Sequence, residues 1–279
     1  MNTIPLIFFS LLYGICISCL VFFIYNHIPE SWLQEWDAIP CDPDYKKAKR
    51  LQLFSHLFLL FIPSFIACCL NLYGINTSDP RQIAYTAFLL CLYPVLCLLF
   101  ISDLLNRILP HQFLITILVY SLGKTVIATF HNTDATGYRF SLLLFFQKTG
   151  IGILCGLFIS ALFFLPSVLM YRIKQTEIIG FGDIKMIFVC TLLCGIPGIL
   201  FVLCTAFLLA GMTILISWVF QKKKTITIRS KIKSSGKSVH FSEDPAFIPL
   251  APFFMVSVFI YLYIIRDIFI LHANTLWYL

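Results

Sequence analysis

The sequence predicts an all-α membrane protein, a polytopic bundle of about eight transmembrane helices, on three observations. Only 12% of the 279 residues are charged, where soluble domains carry about 25%. Hydrophobic residues make up 59% of the chain, and its mean hydropathy is +0.91. The apolar residues fall in continuous runs near the ~20 residues a helix needs to cross a bilayer. A transmembrane barrel would instead show alternating segments of roughly ten residues.

The runs lie near 5–25, 53–74, 84–102, 110–130, 148–170, 184–196, 199–220 and 248–271. The first reads as an uncleaved helix, because no Lys or Arg precedes it and no small-x-small cleavage site follows. The sixth is short and ends at Gly195-Ile196-Pro197-Gly198, which predicts a tight turn into the seventh. A single helix over 184–220 is the alternative, and Pro and Gly argue against it. The whole chain, 1–279, reads as one membrane domain, with loops at 26–52 and 221–247.

Orientation follows from the basic residues. One alternating set of loops holds Lys46, Lys47, Lys49, Arg50, Arg107, Arg172, Lys174 and Lys185, together with Lys222, Lys223, Lys224, Arg229, Lys231, Lys233 and Lys237. That is fifteen of the twenty Lys and Arg residues. This set, including both long loops, is therefore expected in the cytoplasm, with both termini outside and the chain in the cytoplasmic (inner) membrane. The basic segment 221–247 could attract nucleic acid by charge. It contains no recognisable nucleic-acid module, so anionic lipid head groups are the expected partner.

Ten of the eleven cysteines lie inside apolar runs. Cys16 and Cys19 form a C-x-x-C, but at mid-span a metal would be expensive to bury, so these and Cys68, Cys69, Cys190 and Cys194 read as small packing residues. Only Cys41 lies in a loop, and one cysteine makes no zinc site. No H-E-x-x-H and no Gly-x-Ser-x-Gly occurs, which argues against a zinc protease or a serine hydrolase.

Most of the thirteen acids fall in loops; Asp103 and Asp183 do not. Asp103 closes the third run and Asp183 opens the sixth, in Gly180-Phe181-Gly182-Asp183-Ile184-Lys185-Met186. One span runs inward and the other starts outward, so both carboxyls are expected at the same cytoplasmic level. Two carboxyls sharing a site ionise one at a time, giving a base beside an acid near neutral pH. Such a pair can deprotonate water and protonate a leaving amine without a covalent intermediate. The competing reading is that each Asp caps a helix. It suits Asp183 as an N-cap, and suits Asp103 poorly at a C-terminal end. Gly180 and Gly182 would shape the backbone at the helix start and let an extended substrate approach. Lys185 would tune Asp183 or face the cytoplasm.

With these residues in view, the chain resembles the type IV prepilin peptidases (leader peptidases), membrane aspartyl proteases marked by Gly-x-Gly-Asp-x-Lys. Residues 180–185 match that motif at every fixed position. The family's first-aspartate pattern, Asp followed by an Ile/Leu-Pro pair, resembles Asp103-Leu104-Leu105-Asn106-Arg107-Ile108-Leu109-Pro110. Ile248-Pro249-Leu250-Ala251-Pro252-Phe253 resembles a third signature, and Tyr25-Asn26-His27-Ile28-Pro29 resembles the family's Tyr-Arg-Leu-Pro exit from the first helix.

The resemblance implies an aspartic endopeptidase with Asp103 and Asp183 as the catalytic pair and Gly180, Gly182 and Lys185 in support. Its substrate partners would be prepilins or pseudopilins of a type IV pilus or protein-secretion system, cut at the cytoplasmic face after a glycine. Proteolysis would need no cofactor. Many members also N-methylate the product with S-adenosylmethionine, and this chain leaves that activity open. It lacks the paired C-x-x-C zinc insertion after the first span, so no metal is expected. It also departs from the family pattern at His111 and Leu105. Two rival readings are a signal-peptide-peptidase-like protease, disfavoured because Pro-Ala-Leu is absent, and a non-enzymatic transporter or assembly protein, which would place its acids near the bilayer midplane.

Overall fold

The computed structural model describes residues 3–33, 49–51, 53–73, 80–133, 137–174, 180–232 and 250–265. Helices dominate the described residues: α1 (Thr3–His27), α2 (Leu53–Tyr73), α3 (Pro80–Asn106), α4 (His111–Ala128), α5 (Leu142–Lys174), α6 (Phe181–Ile232) and α7 (Ala251–Ile260), the last continuing as a π turn over Tyr261–Ile265. Five stretches are long and apolar enough to cross a membrane: Pro5–His27, Gln82–Asn106, His111–Ala128, Leu142–Ile173 and Phe181–Ile216. Shorter apolar helical stretches run over Leu60–Tyr73 and Ala251–Ile265.

One element is added to the helices the sequence predicts. Between α4 and α5 the short strands β1 (Phe130–Thr133) and β2 (Gly137–Phe140) pair antiparallel, with Phe130 opposite Phe140 and Thr133 opposite Gly137. The polar, turn-forming residues of 131–137 suit a hairpin and suit no span.

The expected break in α6 is present. Gly195 has φ 76° and ψ 177°, outside helical space, and a positive φ of this kind is open to glycine and costly for other residues. Aromatic contacts show what the break does. On α5, Phe164 meets Phe181 (ring centroids 6.3 Å apart), while the adjacent Phe163 stacks on Phe207 (6.0 Å). A straight helix would set residues 181 and 207 about 39 Å apart. They share one level of α5 instead, so the chain reverses at Gly195 and α6 is two antiparallel legs. Gly152 and Gly156 of α5 face Leu192 and Phe188 of the first leg. The second leg lies against α7, where Phe207 meets Phe254 and Phe201 meets Tyr261. At Gly198 an added Cβ would fall 2.5 Å from the Tyr261 ring, so this position too requires glycine.

The second leg continues to Ile232. Residues 221–232, read from sequence as loop, are thus helical in backbone, since no Gly or Pro interrupts 212–235. Residues 233–247 lie outside the described residues. So do 34–48 of the first loop, with Lys46, Lys47 and Cys41.

The core lies where α3, α6 and α7 meet, at residues such as Leu92, Leu99, Ile187, Ile199 and Phe254. Apolar side chains of α1 and α5, among them Phe8, Phe23, Leu154 and Phe158, point away from the bundle, as lipid-facing residues do. Cys16 and Cys19 are exposed on α1 as well, which corrects their reading as packing residues. At three or four residues' spacing they share the outward face with Leu12, Ile15 and Leu20. Cys68, Cys190 and Cys194 are buried.

Two carbonyls are freed within the core helices, one by a proline, which has no N–H, and one by the reversal of α6. Pro94 in α3 frees Leu90, whose carbonyl accepts from the Tyr13 hydroxyl of α1 at 2.6 Å. The neighbouring carbonyls of Leu89 and Cys91 accept from Tyr263 (2.6 Å) and Tyr120 (3.2 Å). Leu193 lies in the last turn of the first leg, where the reversal at Gly195 leaves its carbonyl without a helical partner, and the Lys124 ammonium of α4 donates to it. A cation at the C-terminal end of the first leg also faces the negative end of the helix dipole.

Lys124→Met keeps the apolar stem and removes this donor, leaving a buried carbonyl alone. It is expected to lower stability by about 1–3 kcal/mol, and Tyr13→Phe by about 1 kcal/mol. Unfolding followed in detergent checks both; an unchanged transition in Lys124→Met would show that the reversal does not depend on the ammonium.

Candidate active site

The site is built where α3 ends and α6 begins. The end of α3 is fixed locally. Arg107 adopts a left-handed conformation (φ 58°) and its N–H bonds back to the Asp103 carbonyl at 2.9 Å, the closing bond of a left-handed helix cap. The Ser102 hydroxyl donates to the Ile108 carbonyl at 2.9 Å, drawing the following residues over the helix end. Pro110 disfavours helix at Leu109 and then starts α4. Asp103 therefore sits in the last turn of α3, buried, at 6% exposure.

At α6 the carbonyl of Gly180 accepts from the N–H groups of Asp183 (3.0 Å) and Ile184 (3.4 Å), so Gly180 is the cap. Asp183 is the third residue of the helix. It belongs to the first turn, where the dipole favours negative charge, and does not occupy the N-cap that the competing sequence reading assigns to it.

The two ends meet. Gly182 lies against Leu109, with an added Cβ only 3.3 Å from Leu109 Cδ1. The Asp183 carboxylate is close enough to act electrostatically on Asp103. One Asp103 oxygen, Oδ2, is buried with no hydrogen-bond partner. A buried carboxyl oxygen without a partner is costly in a structural role. It suits a group that receives its partner with the substrate.

Gly180 and Gly182 both stand at the helix start, and neither has a positive φ. Gly182 supplies closeness to Leu109; a Cβ on Gly180 would make only an ordinary contact, 3.9 Å from Asp183 Oδ2. The Lys185 ammonium lies over the exposed Phe181 ring, 4.4 Å from its centroid. The cation that acts on Asp103 is Arg107, which the sequence counts only as a topology marker. Its sole sequence signal is position, four residues after the aspartate. His111 is exposed at the first position of α4, and Leu105 packs partly against the core. The third motif opens α7, where the Leu250 carbonyl accepts from Phe253 (3.1 Å) and Phe254 (3.2 Å); Ile248 and Pro249 lie outside the described residues. Among the described residues no three His, Cys, Asp or Glu side chains gather as metal ligands.

Residues 90–215, which contain both aspartates, match the type IV leader peptidase family. Over that stretch the chain is similar to this family. The family so matched is one of peptidases. No curated protein and no solved structure matches the chain.

The contact at Gly182 gives a paired expectation. Gly182→Ala overpacks Leu109 and is expected to cost about 1–3 kcal/mol, whereas Gly180→Ala stays within about 0.5 kcal/mol of the parent. Chemical or thermal unfolding of the two variants checks the difference; equal losses would mean that Leu109 does not press on the motif.

Proposed function

We propose that this chain is a membrane aspartyl endopeptidase that removes the leader of type IV prepilins or pseudopilins at the cytoplasmic face. What supports this reading is that Asp103 and Asp183, one from each family motif, stand on adjoining helix ends where Leu109 touches Gly182, with one Asp103 carboxyl oxygen left unpartnered. In the proposed topology the two legs of α6 count as separate crossings, α1 to α5 and α7 supply the other six, and both termini lie outside. The 26–52 and 221–247 segments and the aspartates are then cytoplasmic, in accord with the bias of basic residues.

In the proposed chemistry the aspartates share one proton. The charged member takes a proton from water as its oxygen attacks the scissile carbonyl, and the protonated member donates to the carbonyl oxygen. As the tetrahedral gem-diol collapses, the carboxyl that took the water's proton gives it to the amine nitrogen, the C–N bond breaks, and the other carboxylate recovers its proton from a hydroxyl of the forming carboxylic acid. Arg107 and the Lys185-supported Phe181 border the pair. No metal enters these steps: the family's zinc insertion needs paired cysteines, and the corresponding segment here offers only Cys41. S-adenosylmethionine-dependent methylation of the new terminus would be a separate activity.

Asp103→Asn and Asp183→Asn are each expected to reduce cleavage on the order of a thousandfold or more, with unchanged amounts of inserted protein. Mass spectrometry of the N-terminus of a co-expressed prepilin reads cleavage and methylation together. Full-rate processing by either variant would overturn the mechanism.

A further inference from the structure

The fastenings at the Asp103 turn described so far, Arg107 to Asp103 and Ser102 to Ile108, are internal to the α3–α4 corner and move with it. Asn106, one turn after Asp103, fastens that corner to another part of the protein. Its Nδ2 donates to the Tyr25 hydroxyl of α1 at 2.8 Å, and its Oδ1 accepts from the Lys49 backbone N–H at 2.8 Å. Nδ2 also reaches the Lys49 carbonyl at 3.4 Å. Asn26, next to Tyr25, does the same two residues on: Oδ1 accepts from Leu51 N–H at 3.0 Å, and Nδ2 lies 3.5 Å from the Leu51 carbonyl. The Arg50 guanidinium donates to the Tyr25 carbonyl at 2.9 Å.

Two side-chain amides thus pair with residues 49 and 51 as a neighbouring strand would, taking both the N–H and the C=O of alternate residues. Tyr25 is wholly buried (0% exposed) and fixed in α1, so its hydroxyl is a rigid anchor. The corner it holds is open on one side, with Leu104 and Arg107 exposed. On the other side Leu109 bears on Gly182. The Asp103 turn is gripped between α6 and this brace.

We propose that Asn106 and Tyr25, braced by residues 49–51, are positioning residues that set the rotation and height of the last turn of α3, so that the Asp103 carboxyl faces Asp183. The inference rests on the peptidase reading for its kinetic consequence and on geometry alone for its structural one. A carboxyl pair that shares a proton tolerates little misplacement, and an error near 1 Å costs about a hundredfold in rate. The bonds to Asn106 lie at a partly exposed helix end, where their loss leaves the bundle core intact.

The experiment uses the full chain in proteoliposomes with a synthetic prepilin. Tyr25→Phe and Asn106→Ala are each expected to lower kcat about tenfold at unchanged KM, and the double variant is expected to be no worse than Asn106→Ala alone. Unaltered kcat in Tyr25→Phe and Asn106→Ala, beside an inactive Asp103→Asn control, would overturn the positioning role while leaving the peptidase reading standing. So would additive losses or a change confined to KM. A second measurement needs no activity: disulfide formation between Asp103→Cys and Asp183→Cys, mapped by mass spectrometry, with and without Tyr25→Phe or Asn106→Ala. The yield is expected to fall severalfold without the brace, and an equal yield overturns the proposal whatever the cleavage assay reads.

Discussion

Hydrocarbon offers no hydrogen bonds, so every polar group within the bundle has to find its partner in the protein. That constraint organises this chain. Pro94 and the reversal at Gly195 each free a carbonyl, and at both places a side chain from a neighbouring helix reaches the freed oxygen: Tyr13 from α1 and Lys124 from α4. Tyr263 and Tyr120 bond the carbonyls beside the first of these. The contacts join helices far apart in sequence, so the irregularities that weaken single helices become the points where the bundle is tied together. Among the described residues four buried side-chain oxygens lack a partner, those of Ser10, Thr149 and Ser160 and Oδ2 of Asp103, and only the last belongs to a carboxyl. A bundle that provides for these backbone carbonyls leaves a carboxyl oxygen open where α3 ends beside the start of α6.

The reversal at Gly195 brings the second leg of α6 back toward the end of the bundle that holds the site. Had α6 run straight, its second leg would have continued away from the aspartates. Folded back, it returns to the level of Phe163, at the end of the bundle where Phe181 and Asp183 begin the first leg. α7 then packs along the returning leg, with Tyr261 lying so close to Gly198 that a methyl group would not fit. Leu193 near the turn, bonded by Lys124 of α4, and Asp183 at the start belong to one short leg, so a fastening at one end of that leg bears on the carboxyl at the other.

The parts of this arrangement that were legible in the sequence are those written in local pattern. Long apolar runs gave the helices, the Gly-Ile-Pro-Gly cluster gave the break, and the opposite directions of the third and sixth runs put Asp103 and Asp183 at one level. What was not legible depends on pairs of distant residues. Nothing around Asn106 announces Tyr25 or Lys49, 81 and 57 residues away. Lys124 reads as a stray cation until Leu193 is beside it. The outward direction of Cys16 and Cys19 depends on which face of α1 meets α2, and apolar residues surround that helix on every side. Arg107 shows the limit in another way: a non-glycine residue at a left-handed position is disfavoured by about 1–2 kcal/mol, so sequence rules place the helix end elsewhere, and only the folded corner reveals the bonds that hold it there.

The two aspartates also meet unlike helix ends, and this bears on how a shared proton would be used. Asp183 lies in the first turn of α6, whose free N–H groups present partial positive charge; Asp103 lies in the last turn of α3, whose terminal carbonyls present partial negative charge. Under the proposed chemistry these ends favour the negative charge on Asp183 and the proton on Asp103, while the Arg107 guanidinium beside Asp103 works against that preference. The two influences on the shared proton thus oppose one another. That suits a reaction in which one carboxyl must give up a proton and the other accept one within a single turnover, because a pair strongly biased to one arrangement would perform the first transfer well and return slowly to its starting state. Arg107 is held where it can exert this influence by its left-handed backbone, which turns the chain back over the end of α3 and keeps the cation next to the acid it follows.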